Sequence, residues 1–397
     1  MKYCVLIIDG AAGWPLSERG GKTCFELADT PHLDALAKEG VLGLIRTVPE
    51  GMEPSSACAC MSLLGYDPGL YYRGRAAIEA ASMGATINEG EVVFRCNLVA
   101  VEDGRMKSYC AGHISTDEAK RLIEALNANL GSEGIRFYPG VSYRHLLKLK
   151  GHEDTAKAIC TPPHDIPDKL VADFLPQGEG SLFLNQLMDS SAAVLEKHPV
   201  NVMRCERGES PANMIWLFWG SGQVPQIPAF EKVYGLKAAL TSGVDLLRGL
   251  GQMMSMDILE IPGITDGLDN DFSGQALGAL KSLNDHGLVV IHIEAPDEAG
   301  HAGSIDGKVD AIQRIDKEVV SRLRQFEPGN LRLLVMPDHP TPIKIKTHVA
   351  EPVPFILWGP GFSANGAKRF TEAEAKKAGL FIDKGYNIMA RFVGVVI

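Results

Sequence analysis

The chain has 397 residues, of which 45% are hydrophobic and 22% are charged, and its formal net charge is −10 at pH 7. More than one domain is expected, because single hydrophobic cores stop growing near ~250–300 residues. The acidic balance, with no long basic run, makes nucleic acid and anionic membranes poor partners. No apolar run reaches the ~18 residues of a membrane-spanning helix. The composition therefore favours neither a DNA-binding protein nor a membrane protein.

The N-terminus and the cysteines help to predict the cellular compartment of the protein. Residues 1–4 lead straight into a strand pattern that ends on a candidate ligand, so we expect that this start is not a signal peptide. The eight cysteines include no CxxC pair, and most have apolar neighbours, as buried reduced thiols do. We therefore expect a cytoplasmic protein without disulfides. The sequence leaves the oligomeric state open.

The apolar patterns predict strands and helices along the whole chain. Thr30 and Pro31 mark the start of the first helix, with Thr30 as its N-cap. In chain order the predicted elements are a strand at 1–8, a helix at 32–38, a strand at 41–48, helices after 55 and at 76–81, a strand at 92–101, a helix at 116–130, strands at 135–138 and 143–150, a helix at 182–197, and a βα series from 233 to 336 that includes strands at 287–294 and 331–336 and a helix at 308–325.

The stretch from 85 to 200 interrupts the alternation of strand and helix. It contains a hairpin turn of the Asp-Gly type at 102–105, followed by a helix and two strands. This order is typical of an α+β module inserted into an α/β domain. We predict a main α/β domain formed by 1–84 and 201–397, with a mostly parallel sheet flanked by helices, and an inserted α+β domain at 85–200 that caps the substrate.

Three of the predicted strands end on metal-ligand side chains. In open α/β sheets, ligands bind outside the carboxyl ends of the strands. Carboxylates and imidazoles there can hold divalent metals, and two metals are possible if each keeps an open position. One turn of helix would place Asp297 and His301 on the same face. The candidate ligands are Asp9, Asp297, His301, Asp338, His339 and His348.

Ser55 and Ser56 lie at the start of the helix predicted after residue 55. A helix N-terminus favours anions and lowers the pKa of a hydroxyl group located there. The simpler interpretation is that one of these serines is only an N-cap, because serine caps are common and nucleophilic serines are rare.

The chain resembles a known family, the archaeal-type cofactor-independent phosphoglycerate mutases, which are metalloenzymes of the alkaline phosphatase superfamily. The resemblance covers essentially the full length. The residues that carry it are Asp9-Gly10, Ser56, the segment 62–68, Arg73-Gly74-Arg75 with Glu79, the segment 95–98, Gly112-His113, the segment 297–301, Asp338-His339 and Thr347-His348.

The resemblance implies an alkaline-phosphatase-like core and a phosphoserine formed on Ser56, with interconversion of 2-phosphoglycerate and 3-phosphoglycerate. It implies one metal site made of Asp297, His301 and His348. It implies a second metal site that shares Ser56 with the other candidate ligands, Asp9, Asp338 and His339. The metals would be manganese, or zinc or magnesium, and 2,3-bisphosphoglycerate would not be required. The chain departs from the family pattern at Ser55, Ala57 and Cys60.

Arginines and histidines outside the metal set are candidates for binding a small anionic phosphorylated substrate. A guanidinium group can grip phosphate or carboxylate bidentately, although each arginine can equally be a surface ion pair. His113 is the preferred proton relay, and His164 is a weaker candidate that we group with the substrate-binding residues. The substrate-binding candidates are Arg73, Arg75, Arg95, Arg144 and His164.

Other functions remain open on the sequence. A homoserine-kinase-type phosphotransferase would keep the fold, and the unusual segment 55–60 favours it, whereas the lack of a GxxxxGK[ST] loop weighs against a nucleotide donor. A phosphatase or phosphodiesterase would use water as the acceptor. A non-catalytic metal-binding protein is disfavoured by the presence of Ser56 beside six ligand-type residues.

Overall fold

The computed structural model describes residues 1–85, 87–222, 226–327 and 329–394. The chain divides into two compact units. The first unit is Met1–Tyr72 together with Gln226–Ile397, and the second unit is Arg73–Pro225. Each unit is built around a β-sheet of its own.

Thirteen strands lie in the described part of the chain. They are β1 (Lys2–Ile8), β2 (Val41–Ile45), β3 (Glu91–Glu102), β4 (Arg105–Ser108), β5 (Ile135–Tyr138), β6 (Arg144–Lys150), β7 (Met214–Ser221), β8 (Ala238–Thr241), β9 (Asp257–Ile258), β10 (Leu288–Ile293), β11 (Leu331–Met336), β12 (Val353–Trp358) and β13 (Phe381–Ile382).

The described residues also form sixteen α-helices. None of them combines the length and the apolar character that crossing a bilayer requires. They are α1 (Cys24–Leu27), α2 (Pro31–Glu39), α3 (Ser56–Leu63), α4 (Pro68–Tyr71), α5 (Arg75–Ser82), α6 (Thr116–Leu130), α7 (Ser181–Leu195), α8 (Pro199–Glu206), α9 (Phe230–Tyr234), α10 (Asp245–Met253), α11 (Phe272–Ser282), α12 (Ala295–Ala302), α13 (Ile305–Ile315), α14 (Ser321–Gln325), α15 (Glu372–Ala378) and α16 (Ile388–Val393).

The first unit contains an eight-stranded sheet, whose order among the described residues is β13-β2-β12-β11-β1-β10-β8-β9. Strand β1 pairs in parallel with both β10 and β11. Its residues 4–8 are completely buried, as expected of a continuous apolar strand covered on both faces. Only β12 runs antiparallel to its neighbours in the described sheet. Helices α2, α10, α11 and α15 pack against the strands, and the predicted α/β core with a mostly parallel sheet is confirmed.

The second unit contains an antiparallel five-stranded sheet centred on β3, again counted over the described residues. Alternate residues of β3 face opposite sides, as the pleat requires. Val92, Phe94 and Cys96 join the core cluster that includes residues of α6 and α7. Val93 joins a smaller cluster with alanines of α5. The sheet therefore has helices on both faces.

The insertion predicted at 85–200 lies inside this second unit, which begins at Arg73 and ends at Pro225. Helix α5 packs against β3 and β7, and β7 pairs with β3, so the flanking segments join the same sheet. We keep the division into a catalytic domain and a substrate-capping domain as a proposal.

The start of α2 differs from the predicted cap. Thr30 precedes Pro31 as expected, but its side chain makes no capping hydrogen bond. The amide groups of His32 and Leu33 instead donate to the Asp316 carboxylate, at 3.2 and 2.6 Å. Asp316 opens a π-helical turn, Asp316–Val320, which joins α13 to α14 where one helix is predicted at 308–325. A long-range carboxylate thus replaces the local cap.

Candidate metal centre and anion-binding residues

Three neighbouring strands of the first sheet end on acidic side chains. Asp9 follows β1, Glu294 follows β10, and Asp338 comes two residues after β11. Because β11, β1 and β10 are adjacent and parallel, their carboxyl ends meet at one edge. Burial and the neighbouring carboxylates raise the pKa of Asp9 well above its ordinary range. Burial is also the main reason that the pKa of Glu294 is raised to about 8.

The first group of ligand-type side chains, the Asp297 cluster, consists of Asp297, His301 and His348. Helix α12 places His301 Nε2 3.0 Å from Asp297 Oδ2, and His348 Nε2 lies 3.5 Å from the same oxygen. The hydrogen bond to Asp297 raises the pKa of His301 to about 9. Burial acts to raise the pKa of Asp297, but its hydrogen bonds with the two histidines hold it well below the usual value. The structure thus brings these three predicted ligands together.

The second group, the Asp9 cluster, consists of Asp9, Asp338 and His339. His339 Nε2 lies 3.2 Å from Asp338 Oδ2 and 3.6 Å from Asp9 Oδ1. Ser56 Oγ lies 3.1 Å from the same His339 nitrogen. The rings of His339 and His348 stack with centroids 4.0 Å apart, so the two clusters are neighbours. All seven predicted metal ligands therefore gather at one edge of the sheet.

The side chains at this edge fit divalent cations. Asp9 Oδ1 is buried and has no hydrogen-bond partner among the residues that the structure describes. An uncompensated buried carboxylate oxygen is costly, and a cation is its natural partner. Oxygen and imidazole donors suit manganese, magnesium or zinc. The Cys60 thiol contacts Asp338 at 3.7 Å, but burial raises its pKa well above the usual value, so it is a neutral neighbour of the cluster.

Helix α3 begins with the two serines in different roles. Ser55 is the N-cap, and its Oγ accepts a hydrogen bond from the Cys58 amide at 3.3 Å. Ser56 is the first helical residue and points its hydroxyl at His339. Ser55 is therefore the serine that acts as an N-cap. Ser56 lies beside the metal-ligand side chains.

Sequence reasoning missed His292 and Glu294, which adjoin the Asp9 cluster. His292 Nε2 lies 2.7 Å from Asp9 Oδ2 and 3.6 Å from Glu294 Oε2. Its Nδ1 lies 3.0 Å from Ser242 Oγ, so the ring is fixed from both sides. Burial lowers the pKa of His292 to about 4, which keeps it neutral at pH 7. The available signal was a histidine and a glutamate at the end of an otherwise apolar strand.

Gly10 lies at this edge of the sheet, where an added side chain would collide with its neighbours. Its φ is 60°, and a Cβ there would lie 2.2 Å from Asp297 Oδ1 and 2.7 Å from Thr341 Oγ1. We expect Gly10→Ala to lower the free energy of unfolding by about 3 kcal/mol, combining left-handed strain with overpacking, and to weaken manganese binding. Calorimetry of unfolding and manganese titration measure the two effects.

Gly20→Ala is the matched control for this prediction. Gly20 has a similar φ of 69°, and an added Cβ meets no atom within 4 Å among the described residues. Gly20→Ala should lower the free energy of unfolding by only about 1 kcal/mol, the strain of a left-handed alanine, and should leave manganese binding unchanged. Equal effects of the two substitutions would show that the contact with Asp297 is unimportant.

The second unit holds an ion-pair cluster, the Glu79 cluster, in which Glu79 and Arg95 are buried and Arg75 is partly exposed. Arg75 Nε donates to Glu79 Oε1 at 2.8 Å, and Arg95 Nη1 donates to both Glu79 oxygens. Burial acts to raise the pKa of Glu79, but the two guanidinium groups hold it below its ordinary value. The cluster carries two positive charges against one negative charge, so a net positive charge remains for an anion.

Aromatic rings surround these arginines. The Arg75 guanidinium lies 5.1 Å from the ring centre of Trp219, and that of Arg95 lies 6.0 Å from Phe218. The His164 ring contacts both aromatic residues, with centroids 5.8 and 6.2 Å away. Burial and the charges of Arg75 and Arg95 lower the pKa of His164, although Asp165 opposes them. The structure therefore brings three predicted substrate residues together: Arg75, Arg95 and His164.

The other predicted residues of the second unit are less closely tied to this cluster. Arg144 is exposed over Tyr143. Burial is the main reason that the pKa of Arg95 is lowered, and the charge of Arg144 adds to this effect. Arg73 is exposed, and its carbonyl accepts a hydrogen bond from Ser221. His113 is exposed on the loop before α6, with a φ of 56°. No described contact joins His113 to Arg75, Arg95 or His164.

Glu79→Gln should destabilise the protein by about 3 kcal/mol, because it leaves Arg95 buried without its counter-charge. Since the folded pKa of Glu79 lies below 4.5, its stabilising contribution is present above pH 4.5 and is lost as the pH falls through the folded pKa. The difference in the free energy of unfolding between Glu79→Gln and the unmodified chain should therefore become smaller as the pH falls. Denaturant unfolding at several pH values measures it.

Glu133→Gln is the control, because Glu133 is 95% exposed and lies 3.9 Å from Lys150 Nζ. It should change stability by no more than about 0.5 kcal/mol. A Glu79→Gln effect as small as this would mean that water compensates the Arg95 charge fully.

Comparison with known proteins identifies the family. The family model for 2,3-bisphosphoglycerate-independent phosphoglycerate mutase matches residues 37–201. A protein of Methanosarcina acetivorans with that name is 44% identical over 399 residues, covering 100% of both chains. A solved structure from Pyrococcus horikoshii is 26% identical with a TM-score of 0.83, covering 99% of this chain and 97% of its own. A cofactor-independent phosphoglycerate mutase from Thermoplasma acidophilum is 25% identical with a TM-score of 0.68, covering 99% of each chain. The identity over the full length shows that this chain belongs to the family of 2,3-bisphosphoglycerate-independent phosphoglycerate mutases.

Proposed function

We propose that this protein interconverts 2-phosphoglycerate and 3-phosphoglycerate through a phosphoserine on Ser56, with two divalent metal ions and without 2,3-bisphosphoglycerate. The observation that carries the proposal is the position of Ser56 Oγ, 3.1 Å from His339 in a group of buried carboxylates and imidazoles. The name and the full-length match of the Methanosarcina relative support the substrate.

The Asp297 cluster would hold one metal, and the Asp9 cluster with Ser56 would hold the other. Two divalent ions, preferably manganese, would neutralise charge on the phosphoryl oxygens and would acidify the serine hydroxyl. His292 fixes Asp9 by contacting Oδ2, which leaves Oδ1 free to face the cluster. The Thr341 hydroxyl likewise holds Asp297 in place by donating a hydrogen bond to Oδ1.

The reaction would run in two displacements at phosphorus. In the first, Ser56 Oγ gives up its proton and forms a bond to phosphorus, the phosphoester bond to the glycerate oxygen breaks, and that oxygen takes up a proton in exchange. In the second, the other hydroxyl of the glycerate loses its proton and attacks the phosphoserine, and the Ser56 oxygen that is released takes up a proton again. We propose His113 as the group that exchanges these protons. Glycerate must remain bound between the steps, since water would otherwise hydrolyse the phosphoserine.

The arginines of the second unit would hold the anionic groups of the substrate. Arg75 and Arg95 are oriented by Glu79, so their planar guanidinium groups are fixed in place. Arg73 and Arg144 are exposed and would add charge. His164 would contact the substrate beside Arg75 and Arg95.

One set of assays tests this function. The purified, manganese-loaded protein is offered 3-phosphoglycerate with an enolase-coupled readout, homoserine with ATP, and p-nitrophenyl phosphate. We expect turnover of 3-phosphoglycerate without added 2,3-bisphosphoglycerate. Turnover only of homoserine with ATP would favour a kinase, and hydrolysis of p-nitrophenyl phosphate without mutase activity would favour a phosphatase.

A further inference from the structure

Strand β3 presents two buried polar atoms that lack partners. Arg95 Nε and Asn97 Oδ1 have no hydrogen-bond partner among the described residues, and the residues are only 6% and 2% exposed. Being two apart on a strand, they point to the same face of the sheet. Buried polar atoms are nearly always hydrogen-bonded in folded proteins, so an unmet donor and an unmet acceptor on one face indicate a ligand that is absent from the structure.

The neighbours of the two side chains form one continuous set of contacts. Phe218 is the register partner of Arg95 on β7. The His164 ring contacts Phe218 and also Tyr109, with centroids 6.2 and 6.3 Å away. The Tyr109 carbonyl accepts a hydrogen bond from Asn97 Nδ2 at 3.5 Å. This contact orients the amide and leaves its oxygen as the free atom.

The chemistry of the free oxygen differs from that of the arginines. Guanidinium groups only donate hydrogen bonds, and they suit phosphate or carboxylate. Those anions are acceptors at neutral pH and have nothing to donate to an amide oxygen. Both carboxylate oxygens of Glu79 are already engaged by Arg95. Asn97 Oδ1 is therefore suited to a different group of the ligand, one that donates a hydrogen bond.

We propose that Asn97 is a further substrate-binding residue, whose amide oxygen accepts a hydrogen bond from the free hydroxyl of the phosphoglycerate. This inference rests on the proposed function, in which each isomer carries one phosphate, one carboxylate and one hydroxyl. The arginines recognise the anionic groups of the ligand, and Asn97 recognises its free hydroxyl. Asn97 thereby selects hydroxylated phospho-acids over phospho-acids that lack a hydroxyl.

The test compares two ligands that differ by that hydroxyl. Isothermal titration measures binding of 3-phosphoglycerate and of 3-phosphonooxypropanoate, which has the same chain without the 2-hydroxyl. All titrations use the manganese-loaded full chain with Ser56→Ala, so that bound ligand is not turned over. We expect the hydroxylated ligand to bind about tenfold more tightly, the size of one neutral hydrogen bond. Adding Asn97→Leu should lower that ratio about three- to tenfold, towards one.

Asn185→Leu is the matched control in the same unit. Asn185 also donates through Nδ2 to a backbone carbonyl, that of Pro176 at 3.1 Å, and its Oδ1 is likewise without a partner in the described chain. It lies on α7, away from the Glu79 cluster, so Asn185→Leu should leave the ratio of the two affinities unchanged. Asn97→Asp, which keeps an acceptor at the same place, should retain a preference for the hydroxylated ligand.

Equal affinity of the parent protein for the two ligands would overturn the inference, even if Asn97→Leu failed to fold. A ratio that Asn97→Leu leaves within twofold of the parent value would also overturn it. Failure of the proposed function looks different. In that case the protein with Ser56 intact would not convert 3-phosphoglycerate, whatever the ratio of affinities in the titrations.

Discussion

Ser56→Ala is expected to lower the rate of phosphoglycerate interconversion by about 10⁴-fold or more, the scale seen when a covalent nucleophile is removed. Ser56 Oγ lies 3.1 Å from His339 Nε2, within the group of predicted metal ligands. The Asp297 cluster does not include Ser56 and should keep its metal site. The enolase-coupled assay measures the rate, and mass spectrometry after a substrate pulse should find phosphate on the peptide that contains Ser56.

Ser55→Ala and Ser62→Ala are the controls for this expectation. Ser55 caps α3 through the Cys58 amide, so its loss should cost about 1 kcal/mol of stability and leave turnover within a few-fold. Ser62 is buried near the other end of α3, and its hydroxyl has no partner in the described chain. If Ser55→Ala lost activity and Ser56→Ala kept it, the nucleophile would be assigned one residue too late. If all three variants kept activity, the covalent mechanism would be wrong.

The edge of the first sheet could be predicted because its signals are local. Strands β1 and β11 are apolar runs that end near a carboxylate, and parallel strands gather their carboxyl ends at one edge. The four-residue spacing of Asp297 and His301 likewise required only a helix, and α12 supplies it. Local sequence patterns therefore indicate these candidate ligands without any contact between distant segments.

The parts that escaped prediction depend on contacts between distant segments. His292 lies inside an apolar strand, and its importance comes from Asp9 and Ser242, which belong to other parts of the sheet. The same is true of Thr30, whose expected capping role is taken by Asp316, 286 residues further on. Strand β12 also lies outside the predicted elements, which end at residue 336. Its Pro354 pairs in register with Leu44, although proline is rare inside a sheet.

The arginines of the Glu79 cluster could be predicted only in part from the sequence. Arg75 and Glu79 are four residues apart on α5, a spacing that predicts an ion pair from sequence. Arg95 comes from β3, and only the packing of α5 on β3 reveals that it shares the same carboxylate. Sequence could name candidate arginines one by one, but it could not tell the pair oriented by Glu79 from the exposed Arg73 and Arg144.

Removal of divalent metal is expected to abolish phosphoglycerate interconversion and to lower the melting temperature. Asp9, Glu294, Asp297 and Asp338 crowd one edge, and burial with mutual repulsion already raises the pKa of Asp9. A cation that binds only the folded state raises the free energy of unfolding by about 2.7 kcal/mol when it is present at 100 times its Kd. Elemental analysis should find two equivalents of manganese per chain, and chelation followed by re-addition should lose and regain the activity.

A substitution in the Asp297 cluster separates the two sites. Asp297 Oδ2 lies within 3.5 Å of both His301 and His348, so Asp297→Asn removes the only carboxylate of that cluster. We expect this variant to bind one equivalent of manganese instead of two and to lose activity at least about 10²-fold, since a two-metal site then acts with one ion. Asp257→Asn is the control, because Asp257 is 55% exposed and pairs with Lys237 at 2.8 Å. It should keep two equivalents and full activity. Full activity of the unmodified chain in excess chelator, or two equivalents of manganese retained by Asp297→Asn, would contradict the assignment of these residues as metal ligands.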